Sequence, residues 1–103
     1  PRHGQHTGQT HAGVMAAMAD HSMGAAAQTL APDDHWVVTA ELKTSVLRPA
    51  KGEFLVCEAR VLKAGRLLSF TEAEMYCESA GQRTLVMKAS ATMAVTSASR
   101  YTP

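Results

Sequence analysis

A single carboxylate, Asp20, stands in the middle of an otherwise small and apolar stretch, THAGVMAAMADHSMGAAAQTL. An isolated ionised carboxylate is costly among apolar side chains, so a chain that places one there usually gives it a partner or a chemical task. The carboxylate of an aspartate can act as a general base or as a nucleophile. Asp20 is therefore the first candidate for a functional residue.

The same stretch predicts a long helix from about His11 to Leu30, because Ala and Met favour helices and Pro32 follows the end. Residues His11, Ala12 and Gly13 would form its entrance, where backbone N–H groups have no partner in a preceding turn. Such groups can stabilise a negative charge that develops on a carbonyl oxygen. They are candidates for oxyanion binding, and Gly13 would permit close approach of a substrate.

Asp20 lies too far from this entrance to act there within one chain. At 1.5 Å per residue the separation along the helix is about 10 Å. Two copies of the domain paired antiparallel would bring the carboxylate of one chain to the helix entrance of the other. The sequence therefore favours a site that is shared between two subunits.

After the helix the apolar pattern changes from a period of 3.6 to a period of 2. In WVVTAELKTSVLRPA, one face is expected to be apolar (Val38, Ala40, Leu42, Val46) and the other wet (Thr39, Glu41, Lys43, Ser45). The segments EFLVCEARVLKAG, RLLSFTEAEMYCE and RTLVMKASATMAV predict three further strands, joined by short turns at PAKG, AG and SAGQ. We expect an α+β fold in which a four-stranded antiparallel meander wraps around one buried helix.

Composition limits the remaining possibilities. The 103 residues fit one domain over 1–103, whose small core raises the expectation of an oligomer. The net charge of +1 and the few aromatic residues do not favour nucleic acid or an anionic membrane as partners. No apolar run reaches the roughly 20 residues of a membrane span. We interpret Cys57 and Cys77 as reduced, buried thiols of a cytoplasmic protein, with a disulfide as the alternative.

Several motifs in order resemble one family. The chain carries GQHTGQTHAGVMAAMADHSMGAAA, then VVTAELKTSVLRPA, then VLKAGR, which together closely resemble the hotdog-fold acyl-CoA thioesterases of the phenylacetate-pathway (PaaI-like) group. That group has an Asn or Gln, a His-Gly-Gly at the helix entrance, an acidic residue in the helix and a Ser or Thr on the next strand. The resemblance runs from about Gln5 to Val95 and implies a hotdog fold.

The resemblance also implies a role for each matching residue. Asp20 matches the acid that acts as general base or nucleophile on the thioester. Gln5 matches the amide that orients the attacking water or the thioester carbonyl, and Thr39 matches the Ser or Thr that helps to hold the water or the carboxylate. Ala12 matches the glycine whose N–H forms the oxyanion hole. His11 and Gly13 would shape that turn, and Asp20 and Thr39 would come from the opposite subunit.

Other residues are expected to contact the substrate or to have no chemical role. Met23 is a candidate for lining an acyl pocket, where a flexible thioether suits varied groups. Arg48, Lys63 and Arg66 are candidates for binding the phosphates of coenzyme A, with plain solvated cations as the alternative. His3, His6 and His11 lack Cys or acidic neighbours that would complete a zinc site, so we expect no metal. The implied chemistry requires no cofactor.

Two departures from the family pattern stand out. Ala12 replaces a glycine, which keeps the backbone donor but adds a methyl group that could narrow the acyl pocket. Hotdog domains usually have a strand before this point, whereas this sequence starts in the loop before the motif. We therefore expect a first strand to be missing from this chain, an exposed sheet edge and a longer natural protein.

The leading functional hypothesis is hydrolysis of an aryl- or medium-chain acyl-CoA to the free acid and coenzyme A. The alternative is a non-catalytic acyl-CoA-binding or sensing module of the same fold. The dehydratase branch of the fold is disfavoured, because its His and acid are placed differently. We expect a homodimer at minimum, with a homotetramer favoured, and acyl-CoA as the partner. The sequence does not identify the acyl group.

Overall fold

One helix and four strands make up the part of the chain that the structure describes. The computed structural model covers residues 8–51 and 54–97, with side chains from Ala12 onward. Helix α1 spans Gly8–Gln28, and it is followed by strands β1 (His35–Val46), β2 (Phe54–Ala64), β3 (Leu68–Ser79) and β4 (Gln82–Ser97). All neighbouring strands pair antiparallel. The α+β prediction of one helix packed on an antiparallel sheet is confirmed.

The strand order differs from the meander that we expected. It is β1-β4-β3-β2, so β1 pairs with β4 and lies at one edge, while β2 lies at the other. The segment after Val46 contains Pro49, which has no N–H group to extend a ladder. β1 ends opposite Met87 and β2 begins opposite Glu78, at the same end of the sheet. The connection therefore carries the chain from one edge to the other, which a two-residue hairpin turn would not allow.

The turns predicted at AG and SAGQ are confirmed as hairpin turns, whereas the turn predicted at PAKG does not join neighbouring strands, because β1 and β2 lie at opposite edges of the sheet. In the β3–β4 hairpin Ser79 pairs with Gln82, and the residues between them, Ala80 and Gly81, have φ angles of 52° and 81°. Two positive φ angles define the type I′ turn, which suits the twist of antiparallel strands. In the β2–β3 connection the N–H of Gly65 donates to the carbonyl of Leu68, 2.8 Å away. A Cβ atom on Gly65 would lie 2.6 Å from that oxygen, so the close approach requires glycine.

The core lies between one stripe of α1 and the centre of the sheet, and it is rich in methionine. The helix contributes a residue every fourth position, and such residues share a face; they are Met15, Ala19, Met23 and Ala27. From the sheet, Met75, Met87 and Met93 are completely buried. Ala residues leave gaps that flexible thioethers can fill, so this core holds its shape with few aromatic side chains.

Helix α1 differs from the expected helix in its start and in its burial. It begins at Gly8, three residues before the predicted entrance at His11. Only the stripe that faces the sheet is buried, whereas the opposite face, which includes Gly13, Ala17, His21 and Ala25, is exposed. Small side chains leave little apolar area in water, so this face needs no cover in the protomer.

None of the described residues forms a helix with the length and hydrophobicity that a membrane-spanning helix requires.

The two cysteines are free thiols. Cys77 is buried and Cys57 is half-buried. They lie on neighbouring strands but not opposite each other, because Cys57 pairs with Met75 and Cys77 with Leu55. A diagonal spacing of about 7–8 Å between Cα atoms is longer than most disulfides allow.

Candidate active site

The carboxylate of Asp20 meets the hydroxyl of Thr39 where α1 crosses β1. Thr39 Oγ1 donates a hydrogen bond to Asp20 Oδ1 over 2.6 Å. This distance falls in the short range of hydroxyl-to-carboxylate bonds, which are stronger than bonds between neutral groups. Asp20 is half-buried, so its carboxylate remains within reach of water. The structure thus brings together two of the residues that the sequence assigned to one site.

A bulge in β1 explains why Thr39 can reach the helix. The pairing shifts between Thr39 and Glu41, which leaves Ala40 as the extra residue. Thr39 pairs with Met93, whose side chain lies in the core, and paired residues share a face of the sheet. Thr39 is exposed, but the prediction that it lies on the face of β1 away from the core is therefore wrong. Val38 instead pairs with Ala94 on the outer face.

Met93 forms the floor beneath this pair. Its sulfur atom lies 3.5 Å from Thr39 Oγ1, and its side chain is fully buried. A hydroxyl has one proton, which goes to the carboxylate because a thioether is a weak acceptor. The contact with Met93 therefore limits the positions of the Thr39 side chain without competing for its proton. Sequence analysis assigned no role to Met93.

The charge of Asp20 has no cationic partner among the side chains that the structure describes. None of the ion pairs formed by residues 12–51 and 54–97 includes this residue. The same residues contain no group of three or more His, Cys, Asp or Glu side chains that could hold a metal ion. An unpaired carboxylate that accepts one hydroxyl bond retains lone pairs for a water molecule. The arrangement suits a base or a nucleophile.

The end of α1 is tied to the start of β1 by Gln28. Its Nε2 donates to the carbonyl of His35 over 2.9 Å, and its Oε1 accepts from the N–H of Val37 over 3.1 Å. The turn between them contains Asp34 with a positive φ of 65°, which aspartate tolerates better than most residues. Sequence analysis missed Gln28. The one feature of the sequence that could have pointed to Gln28 is its position, eight residues after Asp20 and thus on a nearby part of the helix surface.

The helix entrance does not lie where the sequence suggested. In a regular helix that begins at Gly8, the N–H groups of Ala12 and Gly13 donate to carbonyl groups one turn earlier. The groups without such a partner belong to the first turn, at residues 8–10. The premise that residues 11–13 form the entrance is thus wrong, and the oxyanion role of Ala12 stays a prediction. Gln5 and the side chain of His11 lie outside the described residues.

The residues predicted to bind substrate are spread over the protomer. Met23 is 0% exposed and belongs to the core, so it does not line an open surface of the protomer. Arg48 follows β1 and donates from Nη1 to the carbonyl of Leu85 over 2.9 Å. Lys63 and Arg66 lie at the opposite end of the sheet, since Lys63 pairs with Phe70 at the start of β3. One protomer does not bring the three cations together.

The perturbed titratable groups lie on the outer face of the sheet, away from α1. Tyr76 donates its hydroxyl to Glu74 over 2.8 Å, and this bond, aided by Arg60 and Lys88, lowers the pKa of the Glu74 carboxyl. The same bond raises the pKa of Tyr76. Arg83 bridges two further glutamates and stacks on the Tyr76 ring. This network pairs its charges with one another, and among the described residues it does not include Asp20.

Comparison with known proteins identifies the family of this chain. The family model of the thioesterase superfamily matches residues 7–84, which include α1 and β1. A search of curated proteins found no match. Among solved structures, a thioesterase family protein from Silicibacter pomeroyi is 31% identical, with a TM-score of 0.81 over 84% of this chain and 63% of that chain.

Two further structures add to this picture. A Bacillus halodurans protein solved with CoA is 25% identical, with a TM-score of 0.75 over 82% of this chain and 57% of that chain. A phenylacetic acid degradation-related protein from Ralstonia eutropha is 29% identical, with a TM-score of 0.69 over 80% of this chain and 59% of that one.

This chain spans less than two thirds of the length of each of the three structures. The hotdog fold that the resemblance implied is confirmed by the similarity of one helix and four strands to these proteins. The family match covers most of the sequence, including both residues of the Asp20–Thr39 pair. The chain belongs to the thioesterase superfamily.

Proposed function

We propose that the chain hydrolyses the thioester of an aryl- or medium-chain acyl-CoA, with Asp20 as the reacting acid. The observation that carries the proposal is the half-buried Asp20 carboxylate, which accepts a 2.6 Å bond from Thr39 and has no cationic partner among the described side chains. A carboxylate held in this way is oriented but not neutralised. It can accept a proton from water or attack a carbonyl carbon itself.

The reaction needs few groups. As a base, Asp20 takes a proton from water while the water oxygen adds to the thioester carbon. The carbon–sulfur bond then breaks, the carbonyl re-forms, and the proton passes to the leaving thiolate of coenzyme A. As a nucleophile, the carboxylate would add to the thioester carbon and expel the coenzyme A thiolate to form a mixed anhydride. Water would then hydrolyse the anhydride, which releases the acid, restores the Asp20 carboxylate and supplies a proton to the thiolate. In both routes Thr39 fixes the carboxylate, and in the first route general base help contributes roughly 10²–10⁴-fold.

A backbone N–H at the entrance of α1 is the proposed donor to the oxyanion, which can contribute about 3 kcal/mol. It belongs to a second protomer, because Ala12 lies eight residues from Asp20, about 12 Å along the same helix. For the N–H of Ala12 to bind the oxyanion, the first turn of α1 would have to unwind. If that turn stays helical, the oxyanion donor is instead an N–H group of a residue in the first turn. Gln5 of that second protomer is proposed to orient the water or the carbonyl.

Exposed apolar side chains on β1 support a second protomer at this position. Leu42 and Val46 pair with core residues of β4 and so face the side of the sheet that carries α1. They are nevertheless 37% and 50% exposed, so the described part of the protomer does not cover the second half of this edge strand. Pairing of two β1 edges would place the helix of one protomer beside these residues in the other. We propose a dimer of this kind, and further pairing to a tetramer.

Acyl-CoA is the proposed ligand. The Bacillus halodurans relative solved with CoA supports recognition of the coenzyme, and the Ralstonia eutropha relative supports an aryl acid within the PaaI-like group. Lys63 and Arg66 lie at the same end of the sheet as Thr39, which favours them over Arg48 for contact with the phosphates of a bound coenzyme. A cytoplasmic location would supply such substrates.

The proposal is tested by following release of free thiol from aryl- and medium-chain acyl-CoAs. Wild type should hydrolyse at least one substrate, and Asp20→Asn should reduce kcat by about 10²-fold or more. Asp33→Asn is the matched control, because Asp33 is exposed in the turn before β1. Unchanged hydrolysis by Asp20→Asn would reject this residue as the reacting acid.

The same assay separates hydrolysis from the binding-module alternative. A wild type that binds acyl-CoA in calorimetry but releases no thiol from any substrate would support the non-catalytic reading. A wild type that neither binds nor hydrolyses would reject both functions. Far-UV circular dichroism of each variant confirms that differences in activity do not come from loss of the fold.

A further inference from the structure

The geometry points to Gln28 as a positioning residue for the Asp20–Thr39 pair. This inference rests on the proposed function for its catalytic consequence, but its structural content can be measured separately. The hydrogen bonds of the Gln28 side chain go to the backbone of His35 and Val37. Its amide thus holds the first residues of β1 against the last turn of α1.

Gln28 makes two bonds of opposite sense with the backbone of one strand. Its Nε2 donates to the His35 carbonyl and its Oε1 accepts from the Val37 N–H. The carboxamide thereby forms hydrogen bonds with one backbone N–H and one backbone carbonyl at the edge of β1, as a neighbouring strand would. β1 is bonded to β4 on its other side only, so this edge has no strand partner within the described sheet.

The two bonds fix the distance that the Asp20–Thr39 bond requires. Thr39 lies two residues after Val37 and on the same face of β1. The bulge comes after Thr39, so it does not interrupt the strand between these two residues. Asp20 and Gln28 are eight residues, or about two turns, apart on α1. Both side chains therefore reach β1 from the same side of the helix. Between them stands Gly24, which leaves open space and provides no third contact. Loss of the Gln28 bonds would leave the helix and the edge strand free to slide at the site.

Strand packing alone does not hold this edge closely. Leu42, three residues after Thr39 and on the face that carries α1, is 37% exposed. A short charge-assisted bond responds steeply to misplacement of its two atoms, and a shift of about 1 Å in a catalytic group can cost up to 10²-fold in rate. Gln28 is the described residue that ties the backbone of β1 to α1 near this point.

The test compares wild type with Gln28→Met, which keeps the length of the side chain but forms neither bond. The Val37 amide should then exchange its hydrogen faster, and the Thr39 side chain should populate more than one χ1 rotamer in NMR coupling measurements. With a hydrolysed acyl-CoA, kcat should fall roughly 10-fold with little change in KM. Gln28→Glu keeps the acceptor for the Val37 N–H but lacks the donor for the His35 carbonyl. Its amide exchange rate and its kcat should therefore lie between those of wild type and Gln28→Met.

Gln82→Met is the matched control, because Gln82 is an exposed amide at the start of β4 and should leave all three readouts unchanged. A double-mutant cycle separates positioning from general stability. In a Thr39→Val background, Gln28→Met should cause no further loss of kcat. An additive loss, or a single Thr39 rotamer in Gln28→Met, would overturn the inference. If wild type releases no thiol, the proposed function fails while the exchange and rotamer measurements still decide the role of Gln28.

Discussion

At the scale of single residues, the sequence pointed to Asp20 as the candidate acid but did not predict its surroundings. Asp20 is visible in the sequence because it is the one acidic side chain in a long apolar stretch. Its partner Thr39 could be assigned only through the family resemblance, since a threonine on a strand is ordinary. The bond between them depends on where the helix crosses the strand, and no local pattern encodes that crossing. The same holds for Gln28 and Met93, whose roles arise from tertiary contacts.

We expect Thr39→Val to reduce kcat by roughly 10-fold, which corresponds to about 1.4 kcal/mol of activation free energy. Valine keeps the shape of the side chain but cannot donate to Asp20 Oδ1, so the carboxylate is less well oriented. KM should change little, because Thr39 acts on the reacting acid. Steady-state kinetics with the best acyl-CoA substrate measures both constants.

Two comparisons make this expectation specific. Thr39→Ser keeps the hydroxyl and should retain most of the activity. Thr44→Val removes a hydroxyl from the same face of β1, where Thr44 pairs with Ala89, and should leave kcat unchanged. Equal kcat in Thr39→Val and wild type would show that the hydrogen bond does not contribute to the chemical step.

At the scale of elements, periodicity predicted which segments form the helix and the strands but not how they connect. Alternation along β1 suggested that Thr39 lies on the face away from the core, and one extra residue at Ala40 reversed the assignment of faces for the first half of the strand. Bulges carry no reliable signal in a single sequence, because the extra residue need not be glycine. Strand order was also missed, since two strands adjacent in sequence need not pair. The turns were predictable because glycine marks positions with positive φ or close approach.

The β3–β4 turn has one residue that does not suit its backbone. Ala80 has a φ of 52°, which is unfavourable for a residue with a Cβ atom, whereas asparagine is preferred at this position of a type I′ turn. We expect Ala80→Asn to stabilise the fold by about 0.5–1 kcal/mol. For a domain of this size the melting temperature should rise by about 4 °C.

Thermal unfolding followed by circular dichroism measures the effect of this substitution. Ser79→Asn is the control, because Ser79 is equally exposed but lies at the end of β3 and is not among the described residues with positive φ. It should leave the melting temperature unchanged. A rise in both variants would trace the gain to the polar side chain rather than to the turn, and the thioester kinetics should be unaffected in both.

At the scale of the whole molecule, the length of α1 is consistent with the proposed site shared between two protomers. The structure strengthens the distance argument made from the sequence, because the helix begins at Gly8 and its start lies about 18 Å from Asp20. The exposed Leu42 and Val46 lie on the face of β1 where a second helix could pack. A site with an acid from one chain and N–H donors from another requires assembly for activity.

A shared site predicts that two inactive variants restore activity when they are mixed. We expect Asp20→Asn to lose the acid and Gln5→Ala to lose the amide that the proposed mechanism takes from the other chain. If protomers re-associate at random in dimers, about half of the dimers contain one of each variant. Every such dimer has one site with both substitutions and one site with neither. Mixing after mild dissociation should therefore recover about a quarter of the wild-type kcat per total site.

The recovered fraction distinguishes the possible arrangements. A site built within one protomer would give no recovery, because each chain would retain its own defect. Co-expression of the two variants with different affinity tags, followed by sequential purification, isolates the mixed dimer and should raise recovery to about half of wild type. A protein that sediments as a monomer at the assay concentration while hydrolysing thioesters at full rate would reject the shared site, and the acid would then have to find its oxyanion donor within one chain.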